Sequence, residues 1–128
     1  MAIPSSGGTE VFCSGVIDGQ ADDPTSLKWD GTSPTKGTET DVVPAHTIII
    51  VKNILLCNMD SGSETYTIVL SDGSNSAYIQ RSQTLGNNEV FAWNDTLVLH
   101  PAGFIKVWMS ASDANVDVVY SYIKQDWS

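Results

Sequence analysis

His46-Thr47-Ile48-Ile49-Ile50-Val51-Lys52-Asn53-Ile54-Leu55-Leu56-Cys57-Asn58 is the longest strand-like stretch in the chain, and its reading decides the fold. β-branched residues dominate it, and their stiff side chains suit a pleated surface better than a helix. Pro44 precedes it and Asp60-Ser61-Gly62-Ser63 follows, so both ends carry turn chemistry. Both alternating sets are apolar: Ile48, Ile50, Ile54 and Leu56 on one, Ile49, Val51, Leu55 and Cys57 on the other. A strand of that kind needs cover on both faces. We expect a second sheet on one side and a loop or a neighbouring subunit on the other.

Outward from this strand, short runs bounded by Gly, Pro, Asn, Asp and Ser recur, and no window holds apolar residues at helical spacing over three turns. Strands are predicted over 10–17, 64–70, 77–81, 89–93, 96–99, 104–111 and 115–124. Tyr66, Ile68 and Leu70 share a face, as do Ile105, Val107 and Met109, and Val116, Val118, Tyr120 and Tyr122. Residues 20–41 read as a long polar loop with at most one short strand around Leu27 to Trp29, and loops of that length are usually functional. Val43-Pro44-Ala45-His46 and His100-Pro101-Ala102-Gly103 echo each other, each with proline just ahead of a strand. The expected architecture is all-β: an antiparallel β-sandwich, jelly-roll-like, of about eight strands. Residues 1–9 form an extended N-terminal arm, and residues 10–128 a single domain.

A chain of 128 residues is long enough for one core without staples. Its 15 acidic and 6 basic side chains give a net charge of −9, which excludes nucleic acid and anionic membranes as partners, since both need clustered cations. No run approaches the roughly 20 apolar residues of a membrane helix, and Met1-Ala2-Ile3-Pro4 lacks the basic and apolar regions of an export signal. Cys13 and Cys57 each sit in an apolar run and read as free thiols acting as small hydrophobes. No C-x-x-C pair occurs, so structural zinc is not expected.

Chemistry is scarce. There is no G-x-S-x-G, H-E-x-x-H, phosphate loop or dinucleotide fingerprint. His46 and His100 neighbour prolines and read as turn residues. The acid clusters Asp18, Asp22, Asp23 and Asp60, Glu64 lack the spacing of an EF-hand loop and read as solvated turn acids. No catalytic residue, cofactor or metal is expected. The aromatics say more: Trp93 and Trp108 read as core, whereas Trp29 and Trp127 have polar neighbours and read as interface residues. Two tryptophans on one exposed face would instead suggest a sugar platform.

Asp95-Thr96-Leu97-Val98-Leu99-His100-Pro101-Ala102-Gly103-Phe104-Ile105-Lys106-Val107, then Ser110-Ala111 and Val116-Asp117-Val118-Val119-Tyr120-Ser121-Tyr122, resemble small all-β virion proteins of tailed bacteriophages. Val43-Pro44-Ala45-His46-Thr47 running into Ile54-Leu55-Leu56-Cys57-Asn58 adds to the likeness, which spans about residues 42–124. The chain departs from that group at Phe104, where Asp is frequent. The resemblance implies a non-enzymatic structural protein made in the host cytoplasm and built into the virion. A capsid decoration protein is the first expectation, with a neck or tail component or a carbohydrate-binding or receptor-binding sandwich as alternatives. It also implies a homotrimer bound to the major capsid protein or another virion protein. The residues expected at that contact are Ile3 and Pro4 of the arm, Leu27 and Trp29 of the long loop, and Trp127.

Overall fold

The computed structural model describes residues 9–37 and 40–127. Nine strands run in chain order: β1 Thr9–Gln20, β2 Thr25–Ser26, β3 Thr47–Asn58, β4 Glu64–Ser71, β5 Ser76–Leu85, β6 Val90–Trp93, β7 Leu97–Leu99, β8 Phe104–Met109 and β9 Val116–Asp126. They form two antiparallel sheets, β1-β9-β3-β6 with β7 also on β3, and β2-β8-β4-β5. β6 lies along Ile54–Cys57 and β7 along Ile49–Val51, so the two are halves of one strand broken at Asn94-Asp95-Thr96. Counted together they give two sheets of four, with the strand order of an eight-stranded jelly roll. The expected sandwich is what the chain forms, and no helix occurs among the described residues.

β3 is central, hydrogen-bonded to β9 along its whole length and to β6 and β7 on its other edge. Its register with β9 slips between Val51 and Asn53. That bulge inverts the alternation, because one extra residue flips every side chain beyond it to the other face. Ile49, Val51, Ile54 and Leu56 therefore all enter the core. The two strict alternating sets expected from the sequence are corrected here. The core-facing set combines half of each, and Ile50, Leu55 and Cys57 are left half-buried on the outside.

The inward sets of β8 and β9 follow the pattern as read: Ile105, Val107 and Met109 oppose Val116, Val118, Tyr120 and Tyr122. β1 is longer than predicted and begins at Thr9, the last residue assigned to the arm. Leu27 to Trp29 is not a strand. The short strand lies just before it, at Thr25–Ser26, paired with Lys106 and Val107 of β8. The proline echo has a structural counterpart: Val43 N donates to Gly103 O and Ala102 N to Val43 O, both at 2.9 Å, so the two segments pair where each feeds its strand.

Candidate interaction surfaces

The segment between β1 and β3 is stitched to the sandwich at several points. Gln20 Nε2 donates to the Ala21 and Asp23 carbonyls, and Thr25 Oγ1 donates to Gln20 Oε1 at 2.6 Å. Thr25 Oγ1 accepts from Gly37 N, and Ser26 Oγ from Asp41 N. Leu27 N donates to Ile105 O at 2.9 Å. Two tyrosines of β9 hold the middle of the segment. The Tyr120 hydroxyl accepts from Lys28 N at 2.9 Å and donates to Lys28 O at 2.8 Å, while the Tyr122 hydroxyl accepts from Gly31 N at 2.9 Å. Burial pushes the Tyr120 phenol up to about 12 and raises that of Tyr122 as well. Gly15 lies under the Tyr120 ring, where a β-carbon would overlap the phenol.

Trp29 docks edge-on against both rings, with centroids 5.7 Å and 5.1 Å away. It is 2% exposed and Leu27 is 0% exposed. The expectation that Leu27 and Trp29 project as partner anchors is therefore corrected: both fold back as a lid on their own core. The cause is the Tyr120 and Tyr122 hydroxyls, which satisfy the backbone on either side of Trp29. Trp127 is half-buried just after the end of β9, its backbone N–H donating to His46 O at 3.0 Å and its ring edge-on to His46. Ile3 and Pro4 lie outside the described residues.

The sequence marks the outer side of β3 as needing a loop or a neighbouring subunit for cover, and that side lies on the outer face of the β1-β9-β3-β6 sheet. Registers across the strands arrange it in rows. Phe12, Ile123, Ile50 and Val98 make one row, and Val16, Val119, Leu55 and Ala92 another. Between them runs a polar row of Ser14, Ser121 and Asn53, in which Ser121 Oγ lies 3.0 Å from Asn53 Oδ1. Phe12 is 77% exposed, and Val16, Val98 and Val119 stay between 40% and 49% exposed. An open apolar face of this extent marks an interaction site. Its signal in the sequence is the Phe12, Ser14, Val16 alternation opposite Val119 and Ile123, which only the pairing of β1 with β9 brings together.

The outer face of the other sheet carries Tyr78, Phe104 and Trp108. Arg81 lies over the Tyr78 ring at 4.9 Å and Lys106 over Phe104 at 5.2 Å. Trp93, read as core, faces inward beside Ile54 and is partly buried against the core. Trp108 is half-exposed instead, set outward by the alternation that buries Val107 and Met109, and so departs from the core reading.

Cys13 and Cys57 are free, half-buried thiols. Among the described residues no three His, Cys, Asp or Glu side chains are placed to hold a metal. The acids do meet at one end of the sandwich. Glu64 hydrogen-bonds to Asp60, is buried, and feels the charges of Asp60 and Asp113, which together push its carboxyl up to about 7. Asn58 organises the same end: its side-chain amide donates to the Gly62, Leu85 and Gly86 carbonyls and its Oδ1 accepts from Asp60 N.

No family model matches the chain, and no characterised protein matches it by sequence. Solved structures match it by shape. The extra small virus particle of the giant freshwater prawn Macrobrachium rosenbergii shares 10% identity over 100% of this chain and 85% of that chain, with a TM-score of 0.49. The Drosophila NLP core, described for pentamer formation and histone binding, shares 16% identity over 88% of this chain and 95% of that one, with a TM-score of 0.48. The T13 particle protein of the virus IBDV shares 7% identity over 96% of this chain, with a TM-score of 0.46; this chain spans only 36% of its length. At these identities and scores, similarity of shape decides neither role nor partner.

Proposed function

We propose that this chain is a non-enzymatic structural protein of a phage virion, a capsid decoration protein seated on the shell surface. The observation that carries the reading is the open apolar face of the β1-β9-β3-β6 sheet on a jelly-roll sandwich, an architecture that capsid proteins share with lectins and cupins. The ordered, costly feature of the surface is a contact face, whereas the histidines and most carboxylates are dispersed. The sequence resemblance to small phage virion proteins points the same way. It supplies the proposed major capsid partner, the trimeric order, and the neck or tail as the other locations.

In this reading the arm before β1 lies along the partner as an extended strand, with Ile3 and Pro4 in contact, and Trp127 flanks the site. Two changes test it in particle reconstitution with the full chain: deletion of residues 1–8, and Phe12→Asp. Each is expected to reduce incorporation at least about tenfold, the loss of one interface hot spot, while the melting temperature of the free protein stays within about 3 °C. Full incorporation of both variants would remove the reading. A sugar-binding role is favoured by one observation, the half-exposed Trp108 on the same outer face as Tyr78, on the opposite sheet. The cations over Tyr78 and Phe104 occupy the ring faces a sugar would stack on. Saccharide titration of tryptophan fluorescence, with Trp108→Ala as control, separates the two roles.

A further inference from the structure

We infer that residues 1–8 of one copy add as an extra strand to the free edge of β1 in the next copy, so that three copies close into a ring by exchanging arms. The inference rests on the structural role above and deepens it by naming where the arm docks. It starts from the edge itself. Val16 N donates to Ser33 Oγ at 3.0 Å, on the side of β1 away from β9. From Thr9 to Ile17 the register with β9 runs without a shift, and in an antiparallel ladder every second residue turns its amide and carbonyl outward. Glu10, Phe12 and Ser14 are in step with Val16 and offer theirs to the open edge. Among the described residues, Ser33 closes that edge at Val16 and leaves Glu10 to Ser14 uncovered. Val11 is 50% exposed and Phe12 is 77% exposed, on opposite sides of the sheet. A strand laid along the edge flanks both, which a contact with one face does not.

The other described edges are blunted. β5 slips register twice against β4 and holds Ser82 at a φ of 49°, irregularities that turn an edge away from further pairing. β6 and β7 are interrupted at Asn94-Asp95-Thr96, and β2 is two residues long. From Glu10 to Ser14, β1 has no bulge, no proline and no lysine, so the usual devices that repel an added strand are missing there.

The occupant is read from the chain that precedes β1. Eight extended residues span about 27 Å, and the open stretch from Glu10 to Ser14 needs about 17 Å. Met1-Ala2-Ile3-Pro4-Ser5-Ser6-Gly7-Gly8 carries no charged side chain, so it can approach a copy whose net charge is −9. Pro4 has no amide to donate; on an added outer strand its place faces solvent, which leaves Ile3 and Ser5 to bond the edge. Return onto its own β1 is obstructed. A two-residue Gly7-Gly8 hairpin requires a hydrogen-bonded pair of Ser6 and Thr9. Thr9, out of step with Val16, instead turns its amide and carbonyl toward β9, opposite Asp126. A wider turn consumes residues 6–8 and leaves five to pair, whereas the next copy receives the whole arm. Such a contact is head-to-tail and closes into a ring, in keeping with the trimer of the reading above. An added strand also prolongs the sheet beyond Phe12, so the side chains on its outer side still meet the shell.

Sedimentation equilibrium of the full chain from about 1 µM to 300 µM tests this, a range that covers micromolar to submillimolar affinities. The expected mass approaches three times 13.8 kDa. Deletion of residues 1–8 is expected to leave single copies. Ser14→Pro removes one outward amide from an edge strand, a place proline tolerates, and is expected to raise the concentration for half-assembly at least about tenfold. Ser14→Ala keeps the backbone donor and should stay within about threefold of wild type. Thermal melts establish that each variant is folded, and Glu10→Pro replaces Ser14→Pro if the latter is not. Amide exchange gives a second readout: Phe12 and Ser14 should exchange at least about tenfold faster once the arm is deleted, while Cys13, bonded to β9, stays protected. A mass that settles at any other number of copies, a trimer that survives the deletion, a folded proline variant that assembles normally, or unchanged exchange at Phe12 and Ser14 would each overturn the proposal. Incorporation of the wild-type chain into particles is read separately, so the structural role survives if only the arm exchange fails.

Discussion

Replacing Trp29 by alanine should damage the fold of the free protein rather than a contact with a partner. Trp29 is 2% exposed and wedged edge-on between Tyr120 and Tyr122. Its indole Nε1 is buried with no hydrogen-bond partner among the described residues, so truncation forfeits packing and no polar contact. A buried tryptophan removes roughly 150–250 Å² from water, worth about 4–6 kcal/mol at 25 cal/mol per Å². Alanine keeps a little of that, and the expected loss is about 3–5 kcal/mol, the range measured for large aromatic truncations in cores. An unfolding entropy of about 2.1 cal/mol/K per residue over 128 residues converts this to a fall in Tm of roughly 11–19 °C. Calorimetry of both proteins in the same buffer measures it, and Trp29→Phe should lose less than half as much. A Tm within about 3 °C of wild type, coupled to lost particle incorporation, would show that Trp29 is a partner anchor after all and that the lid is not part of the core.

Other outcomes follow from the same contacts. Gly15→Ala places a methyl group into the Tyr120 ring and should cost about 1–3 kcal/mol by urea denaturation, as overpacking does; Ser14→Ala, its outward neighbour, should be silent. Glu64 has a folded-state pKa raised to about 7 by Asp60, burial and Asp113, so its contribution is full below the ordinary carboxylate range and is lost as pH rises through 7. Melting temperatures should therefore fall between pH 5 and pH 8 in the wild type, and Glu64→Gln should flatten that slope. Raised phenol pKa values at Tyr120 and Tyr122 give these two side chains a stabilising contribution that is constant below about pH 10 and is lost toward pH 12, which far-ultraviolet dichroism against pH would follow. Asn58→Asp exchanges the donor amide for an acceptor facing three carbonyls, and should cost at least about 2 kcal/mol.

The sandwich was legible because period-two patterning and turn residues are local signals. Val116, Val118, Tyr120 and Tyr122 alternate in the sequence and face the core together. The bulge at Lys52 was not legible, since Ile48 to Cys57 is apolar at nearly every position and hides the change of phase. The destination of the long loop was hidden for another reason. Trp29 has polar neighbours in the chain, and only hydroxyls about 90 residues away, on β9, turn it inward. The need for cover on the second side of β3 was legible, but the extent of the candidate face was not, because no single strand displays it. Phe12 and Val16 are unremarkable until β1 lies beside β9, and Ile50 and Leu55 read as core until the bulge separates them from Ile49 and Ile54.

Counting copies of this chain by quantitative mass spectrometry, in purified particles from the replicon that encodes it, addresses the structural role most directly. A decoration protein is expected at tens to hundreds of copies per particle, in fixed ratio to the major shell protein. About a dozen copies or fewer would move it to the neck or tail, whose rings are closed cyclic assemblies of few subunits. Particles of normal shell composition that lack the chain altogether would contradict a virion role.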